Sequence, residues 1–142
     1  MAPPRRLAGR SPQLAGEYFE IGVPPAYGLF ARNVRGLSLH HLRFDVANPD
    51  LRPAVVFDHV QDAAVNGLSA WGDSRAESLL RLVESHDVLL SACRIRGRSS
   101  TFLRVEGSSS ANISVDGGDL SKAAAVLSFG AGAPEAAARQ RG

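Results

Sequence analysis

The chain of 142 residues is poor in cysteine and in aromatic residues, with Cys93 as its one cysteine and Phe, Trp and Tyr making up 6%. A single cysteine excludes an intramolecular disulfide and any zinc site built from several cysteines. The longest run of small and apolar residues, 123–133, contains Ser128, Gly130 and Gly132 and is too short to cross a bilayer. The N-terminus lacks the apolar stretch of a secretory signal, so the sequence leaves the localisation unknown.

An excess of charge of one sign is also missing from the body of the chain. There are 16 Lys and Arg against 14 Asp and Glu, and five of the basic residues but only one acidic residue lie in the tails 1–16 and 134–142. The remaining 11 basic and 13 acidic residues form no basic stripe with aromatic neighbours. We therefore expect no nucleic-acid partner and no membrane partner, and no residue pattern indicates a metal or a cofactor.

Hydrophobic residues make up 44% of the chain, and they recur with a nearly fixed period. Segments that begin at Gly28, Ala54, Leu79 and Thr101 align, and in the second half of each repeat the apolar columns recur about every 25 residues. Those columns are Leu37, Ala63, Val88, Ile113; Leu39, Val65, Leu90, Val115; Leu42, Leu68, Cys93, Gly118; and Phe44, Ala70, Ile95, Leu120. In the first half, the columns Leu29, Val55, Leu80, Leu103 and Ala31, Phe57, Leu82, Val105 have a slightly shorter last spacing, and the serine-rich insertion after Gly107 restores the register.

Apolar and polar positions alternate within each repeat, which indicates strands rather than helices. Between the two halves lies a column of Gly36, Asp62, Asp87 and Asn112, residue types that tolerate left-handed backbone in a turn. Short strands that recur once in each repeat bury a core only by stacking on the next repeat. The sequence thus predicts an all-β, right-handed parallel β-helix of about four coils, an incomplete solenoid.

A leucine-rich repeat is the competing solenoid, because it shares this period and its strand loosely matches the segment from Val34 to Leu42. It expects Asn or Cys at the column that holds Leu42, Leu68, Cys93 and Gly118, and only Cys93 satisfies that requirement. It also expects a helical convex side in place of a second alternating strand. The pattern therefore favours the β-helix.

Particular residues add a resemblance to this pattern. Pro25-Ala26-Tyr27-Gly28, then Asp50, Arg52, Pro53 and Ala54, and the following Val-Val-Phe-Asp-His-Val-Gln-Asp resemble the C-terminal coils of polygalacturonase-like proteins. These are the family 28 glycoside hydrolases, which have the pectin lyase-type fold. The resemblance covers about residues 17–128 and implies a parallel β-helix that acts on pectic polysaccharide, secreted or periplasmic in a full-length form.

The chemical motifs of that family are missing from this sequence. The family carries Asn-Thr-Asp, Asp-Asp, Gly-His-Gly and Arg-Ile-Lys, and none of the four occurs here. Arg94-Ile95-Arg96 is the nearest mimic, but Ile95 belongs to an apolar column, so we assign no catalytic residue. Whether the chain is an enzyme is left open, and its predicted function is that of a C-terminal β-helix segment without the catalytic coils. The alternative is a non-catalytic module that binds carbohydrate or protein.

Three residues are candidates for substrate binding. Arg81 and Arg104 should point outward from adjacent coils, where guanidinium groups could pair with galacturonate carboxylates, although Glu84 and Glu106 could equally balance them. Trp71, expected in the loop after the second repeat, could stack on a sugar ring or cover the corner of the coil. Asp62 and Asp87 are expected in turns, Asp58 and Glu106 in an outward column, His40 and His41 at the surface and Cys93 in the core.

The domain boundaries follow from the repeat. Residues 1–16 are expected to be a disordered basic leader, 17–131 the β-helix with a lead-in segment over 17–27, and 132–142 a mobile Ala- and Arg-rich tail. The apolar columns of the first coil would lack a coil to stack on. We therefore expect a stacking partner or self-association at that end.

Overall fold

The computed structural model describes residues 24–142, which form an all-β parallel solenoid of about five turns. Within that range no helix is long and apolar enough to span a membrane. A 3₁₀ turn over Glu135–Ala137 precedes the last strand. The strands are β1 (Leu29–His40), β2 (Arg43–Phe44), β3 (Val55–Asn66), β4 (Ser69–Trp71), β5 (Leu80–Val83), β6 (His86–Ser91), β7 (Arg94–Arg96), β8 (Ser99–Glu106), β9 (Ala111–Asp116), β10 (Ala123–Gly130) and β11 (Ala138–Arg141).

The solenoid has three faces, all of which carry strands in the first three turns, and the ladders between turns are parallel. The first face stacks the start of β1 on the start of β3, followed by β5, β8 and β10. The second stacks the ends of β1 and β3, followed by β6, β9 and β11. The third consists of β2, β4 and β7. The predicted parallel coil is confirmed.

The apolar columns predicted from the repeat are the inward columns of the solenoid. Leu37 pairs with Ala63, Ala63 with Val88, and Val88 with Ile113. On the first face, the column Ala31, Phe57, Leu82, Val105 continues beyond its four predicted members, because Val105 pairs with Phe129 of β10. These columns form one continuous core, in which Phe57, Leu82, Leu90, Ile95 and Leu103 are almost completely buried.

Left-handed residues form the corners of the coil, and one of their columns lies near the start of the second face. The predicted turn column is confirmed, because Gly36, Asp62, Asp87 and Asn112 all have positive φ. Two further corner columns were not predicted: Asn33, His59, Glu84, Gly107 and Ala131 precede the second face, and His41, Gly67, Ala92, Gly117 and Gly142 follow it. Side chains tie successive corners together, since the Asn112 amide donates to Asp87 at 2.7 Å. The backbone N–H groups of Val60 and Ser85 likewise donate to the hydroxyls of Ser85 and Ser110 one turn later.

The C-terminal end of the chain differs from the sequence prediction. The expected mobile tail over 132–142 is wrong in its last part, because β11 pairs with β9 and Arg141 makes a two-point ion pair with Asp116. Together with β10, this strand gives about five turns where the repeat predicted about four. The repeat was missed because Ala138 and Gln140 occupy columns that hold Ile113 and Val115 one turn earlier. Because these two residues are small or polar, the apolar period is not visible in the sequence of the last turn.

The inward columns are less covered in the first turn than in the next one. Leu29, Ala31, Leu37 and Leu39 are half-buried, whereas their neighbours one turn later, among them Val55 and Phe57, are buried. Leu127 and Phe129 in β10 are half-buried as well. The leader 1–16 and the first part of the predicted lead-in segment, 17–23, lie outside the described residues.

Phe57 offers a direct test of the inward columns. Its ring is 1% exposed, so Phe57→Ala removes a buried aromatic side chain and leaves a cavity. We expect the free energy of unfolding, measured by urea denaturation with circular dichroism, to fall by about 3–5 kcal/mol. Phe30→Ala is the matched control, because Phe30 lies in the adjacent strand at 42% exposure, and its loss should be below about 1 kcal/mol. Equal losses from the two substitutions would contradict the assigned facing of these strands.

Candidate functional site

Trp71 presents an exposed aromatic surface at the third face of the solenoid. It is the last residue of β4 rather than a loop residue as predicted, and 42% of it is exposed. In the parallel ladder it pairs with Arg96 of β7, whose guanidinium carbon lies 5.6 Å from the centre of the indole ring. A Cβ on Gly97 would come within 2.6 Å of the ring, so the absence of a side chain there lets the indole lie against the backbone.

The guanidinium of Arg96 is buried and held by several acceptors. The residue is 8% exposed, its Nη1 donates to the Asp45 carboxylate, and its Nη2 donates to the carbonyls of Phe44 and Ser69. Asp45 also accepts from Arg43, and the hydrogen bonds from Arg96 and Arg43 lower the pKa of Asp45. A buried cation with an ionised partner and several fixed acceptors keeps one orientation, so Arg96 fixes the ring that it contacts.

Tyr27 fixes the backbone of the same tryptophan. Its hydroxyl donates to the carbonyl of Trp71 at 2.7 Å, and its ring packs edge-on against Phe44 with centroids 6.4 Å apart. Burial raises the pKa of Tyr27 to about 12, so the phenol stays protonated and remains a donor at neutral pH. Tyr27, Arg96 and Gly97 thus hold Trp71 from three directions.

A cleft of about 280 Å³ opens in front of Trp71. One wall is the loop Val46, Ala47, Asn48, Pro49 and Asp50, and the other is Trp71, Gly72 and Asp73. Apolar side chains, one amide and two carboxylates therefore surround an exposed indole. Such a mixture of an aromatic surface with a few polar groups is typical of small-ligand sites.

The two cleft carboxylates have the same local arrangement. Asp50 accepts from the backbone N–H and from two guanidinium nitrogens of Arg52, and Asp73 accepts in the same way from Arg75. The hydrogen bonds from Arg52 lower the pKa of Asp50 to about 2, and those from Arg75 lower the pKa of Asp73. Both carboxylates are therefore ionised at neutral pH, and each already accepts hydrogen bonds from its own arginine.

The predicted pair Arg81 and Arg104 lies on a different face from Trp71. The two arginines are register neighbours on β5 and β8, as predicted from the repeat. Between them is Glu106, which accepts from Arg81 at 2.8 and 3.0 Å and from Arg104 at 2.8 Å. The hydrogen bond from Arg81 is the main cause that lowers the pKa of Glu106. Arg104 also lies 3.4 Å from Glu77.

Glu84 does not take the balancing role that the sequence suggested for it. Its carboxylate accepts from the backbone N–H of Ser109 at 3.0 Å and from the Ser109 hydroxyl at 2.8 Å, and these bonds lower its pKa. Because Gly107 has no side chain, Glu84 can lie over it and anchor the serine-rich insertion. Of Glu84 and Glu106, only Glu106 therefore pairs with Arg81 and Arg104.

The remaining sequence candidates have structural surroundings. Asp62 and Asp87 lie in the corner column as predicted, and Asp58 shares its outward column with Arg32, Val83 and Glu106. His40 and His41 are exposed. Cys93 is buried in its column, and burial raises its pKa to about 11, so the thiol stays protonated. No group of three His, Cys, Asp or Glu side chains is placed to bind a metal within residues 24–142.

Arg96 and Asp45 are the site residues that sequence reasoning missed. Arg96 resembles part of a catalytic motif in the sequence, but it lies one repeat after Trp71 and pairs with it in the ladder. Asp45 lies one repeat before Trp71, since the preceding residues Phe44 and Ala70 are register partners. All three therefore belong to one outward column at the end of the third face. Extending the repeat to outward positions would have placed them side by side.

Arg52→Gln tests the ion pair on one wall of the cleft. The folded pKa of Asp50 is about 2, below the ordinary value of about 3.9. The pair therefore stabilises the fold above about pH 4, and that contribution is lost as the pH falls toward 2. In Arg52→Gln we expect the Asp50 carboxyl carbon to titrate near pH 4 by NMR. Arg75→Gln is the control and should leave Asp50 unchanged; an unshifted Asp50 in Arg52→Gln would contradict the assignment.

Comparison of the chain with protein-family models, with curated proteins and with solved structures finds no match. The resemblance to polygalacturonase-like proteins therefore rests on the residues quoted from the sequence and on the agreement of the fold class.

Proposed function

We propose that this chain is a carbohydrate-binding segment of a parallel β-helix, similar to the C-terminal coils of polygalacturonase-like hydrolases, and that it binds pectic polysaccharide. The observation that best supports the proposal is the exposed indole of Trp71 at a cleft, held from behind by Arg96. A pyranose ring presents a face of C–H groups that packs on an aromatic ring, while its hydroxyls reach polar groups around it.

Immobilisation of the indole favours binding. A side chain that is ordered before the ligand arrives loses little rotamer freedom when the ligand binds. Trp71 meets this condition through its contacts with Arg96, Gly97 and Tyr27. The alternative role of Trp71, a cover for the corner of the coil, accounts for its contact with Gly97 but not for its exposed surface in the cleft.

The carboxylates near Trp71 support binding of the polysaccharide without cleavage. Hydrolysis of a glycosidic bond with inversion needs two carboxyl groups about 6.5–9.5 Å apart, one of them protonated before it acts. Asp45, Asp50 and Asp73 each accept hydrogen bonds from an arginine that favour the ionised form. None of the three is suited to be the general acid at neutral pH.

Trp71→Ala tests this proposal. We expect pectin in a native gel to retard this variant much less than the unchanged protein. The apparent affinity should fall at least about tenfold, because the stacking surface is removed. Phe30→Ala is the matched control, since Phe30 has the same exposure on another face and should bind as the unchanged protein does. No new reducing ends should form from polygalacturonate with either protein. Equal retardation of the two variants would refute the Trp71 site, and reducing ends from the unchanged protein would favour the hydrolase instead.

Arg81 and Arg104 remain a second proposed contact for acidic sugar residues. Both lie on the first face and are partly exposed. Glu106 accepts from Nε and Nη2 of Arg81 and from Nε of Arg104, and no partner for the Nη atoms of Arg104 is found among the described residues. These Nη atoms are the donors that a galacturonate carboxylate would meet. In the same gel assay, Arg104→Ala should weaken retardation by pectin less than Trp71→Ala does.

A second candidate function is assembly through the first turn, with another copy of this chain as the partner. Leu127 and Phe129 of β10 lie in the same inward columns as Leu29 and Ala31 of β1, and all four are half-buried. Stacking β10 of one copy on β1 of the next would continue both columns and the parallel ladder. Head-to-tail contacts of this kind do not close on themselves and give open-ended oligomers.

Leu39→Glu tests assembly at the first turn. We expect the unchanged protein to show a sedimentation coefficient that rises with concentration, and Leu39→Glu to remove that rise by placing a charge in the half-buried column. Leu89→Glu is the control, because Leu89 is exposed on the outer side of the second face. Circular dichroism establishes that both variants are folded. A concentration-independent monomer in the unchanged protein would refute this assembly.

A further inference from the structure

Resting on the proposed carbohydrate-binding function, we propose that the Trp71 cleft selects uncharged pectic residues, in particular methyl-esterified galacturonate, over free galacturonate. The two sugars differ only in whether the carboxyl group carries a negative charge or a methyl ester. The selection therefore depends on the charge and polarity of the cleft walls.

The cleft presents negative rather than positive groups to a ligand. Asp50 and Asp73 line it together with the amide of Asn48, and none of its lining side chains is basic. Both carboxylates are partly exposed, at 24% and 16% of the side chain. A ligand carboxylate brought between them would lose water and meet like charges without gaining a cationic partner.

The nearby arginines do not reverse this conclusion, because neither Arg52 nor Arg75 lines the cleft. Arg52 and Arg75 each direct two guanidinium nitrogens at their own aspartate, in a two-point arrangement in which the carboxylate and not the guanidinium lines the cleft. Arg96 is buried behind the indole, where Asp45 is its counter-ion. A galacturonate carboxylate in the cleft would have to break one of these pairs to reach the paired guanidinium nitrogens.

An esterified sugar residue suits the same walls. Its hydroxyls can donate to the oxygens of Asp50 and Asp73, which are strong acceptors because they are ionised. Its ester methyl group can pack against Val46, Ala47 and Pro49 in the opposite loop. The ring itself stacks on Trp71, so each chemical part of the neutral sugar has a matching surface.

Tryptophan fluorescence measures binding at this cleft alone, since Trp71 is the only tryptophan in the chain. We would titrate the full chain with trigalacturonate and with its trimethyl ester, two probes with the same stereochemistry. At low salt we expect the ester to give a dissociation constant at least about tenfold lower. Added NaCl should tighten trigalacturonate binding by screening the repulsion and leave the ester unaffected. This salt dependence needs no variant.

Asp73→Asn adds a matched pair of variants. It leaves Arg75 without its anionic partner, so we expect trigalacturonate to bind more tightly and the ratio of the two dissociation constants to shrink several-fold. Asp116→Asn is the control, because it removes the same charge from an equivalent two-point pair with Arg141 on the second face. The ratio should be unchanged in that control, and thermal melts establish that both variants are folded.

The possible failures are distinguishable. If trigalacturonate changes the fluorescence with an affinity equal to or higher than that of the ester, the inference about charge is overturned while carbohydrate binding at Trp71 stands. If neither probe changes the fluorescence and Trp71→Ala has no effect in the pectin gel, both are overturned. A ratio that changes equally in Asp73→Asn and Asp116→Asn also overturns the inference, because the effect would then come from net charge.

Discussion

A turn of this solenoid closes because the backbone changes direction at corners made of left-handed residues. Asn33, His59 and Glu84 at one corner, and Asp62 and Asp87 at the next, adopt this conformation without being glycine. Each such residue costs on the order of 1 kcal/mol in isolation. The cost is tolerated because the corners place side chains of successive turns in register, which buries the inward columns and lets every strand pair with the next turn. The length of the repeat follows from this constraint, and the surface chemistry follows from the repeat.

The same register produces the Trp71 site. Asp45, Trp71 and Arg96 are distant in sequence, but parallel strands bring consecutive members of a column to about 4.8 Å of one another. A buried guanidinium is costly unless it is paired, so Arg96 would be unfavourable without the Asp45 carboxylate and the two carbonyls that it contacts. The indole lies over this guanidinium, whose two Nη atoms have acceptors and whose Nε has none among the described residues. The orientation of Trp71 therefore depends on the ion pair between Arg96 and Asp45, its neighbours in the same column.

The inward columns were predictable from the sequence because large apolar residues repeat in them, as in Leu80 and Leu103. The fifth turn was not predictable, because Ala138 and Gln140 continue the columns without being large and apolar. The adjacency of Arg81 and Arg104 could be predicted from the register, but the two-point bond to Glu106 could not. It depends on side-chain rotamers and on which carboxylate is nearest. The cleft needed the conformation of the loop after β2, which has no counterpart in the periodic pattern.

Two kinds of ion pair have different consequences for the molecule. Arg81 with Glu106 and Arg141 with Asp116 join neighbouring turns, so they add to the stacking along the solenoid. The pairs at the cleft are instead formed within a single loop, between residues two positions apart. They stiffen each wall without tying it to the next turn, and they commit two guanidinium nitrogens of each arginine before any ligand arrives. Arginines can therefore lie near a cleft while carboxylates line it, because local hydrogen bonding fixes which end of each pair the ligand meets.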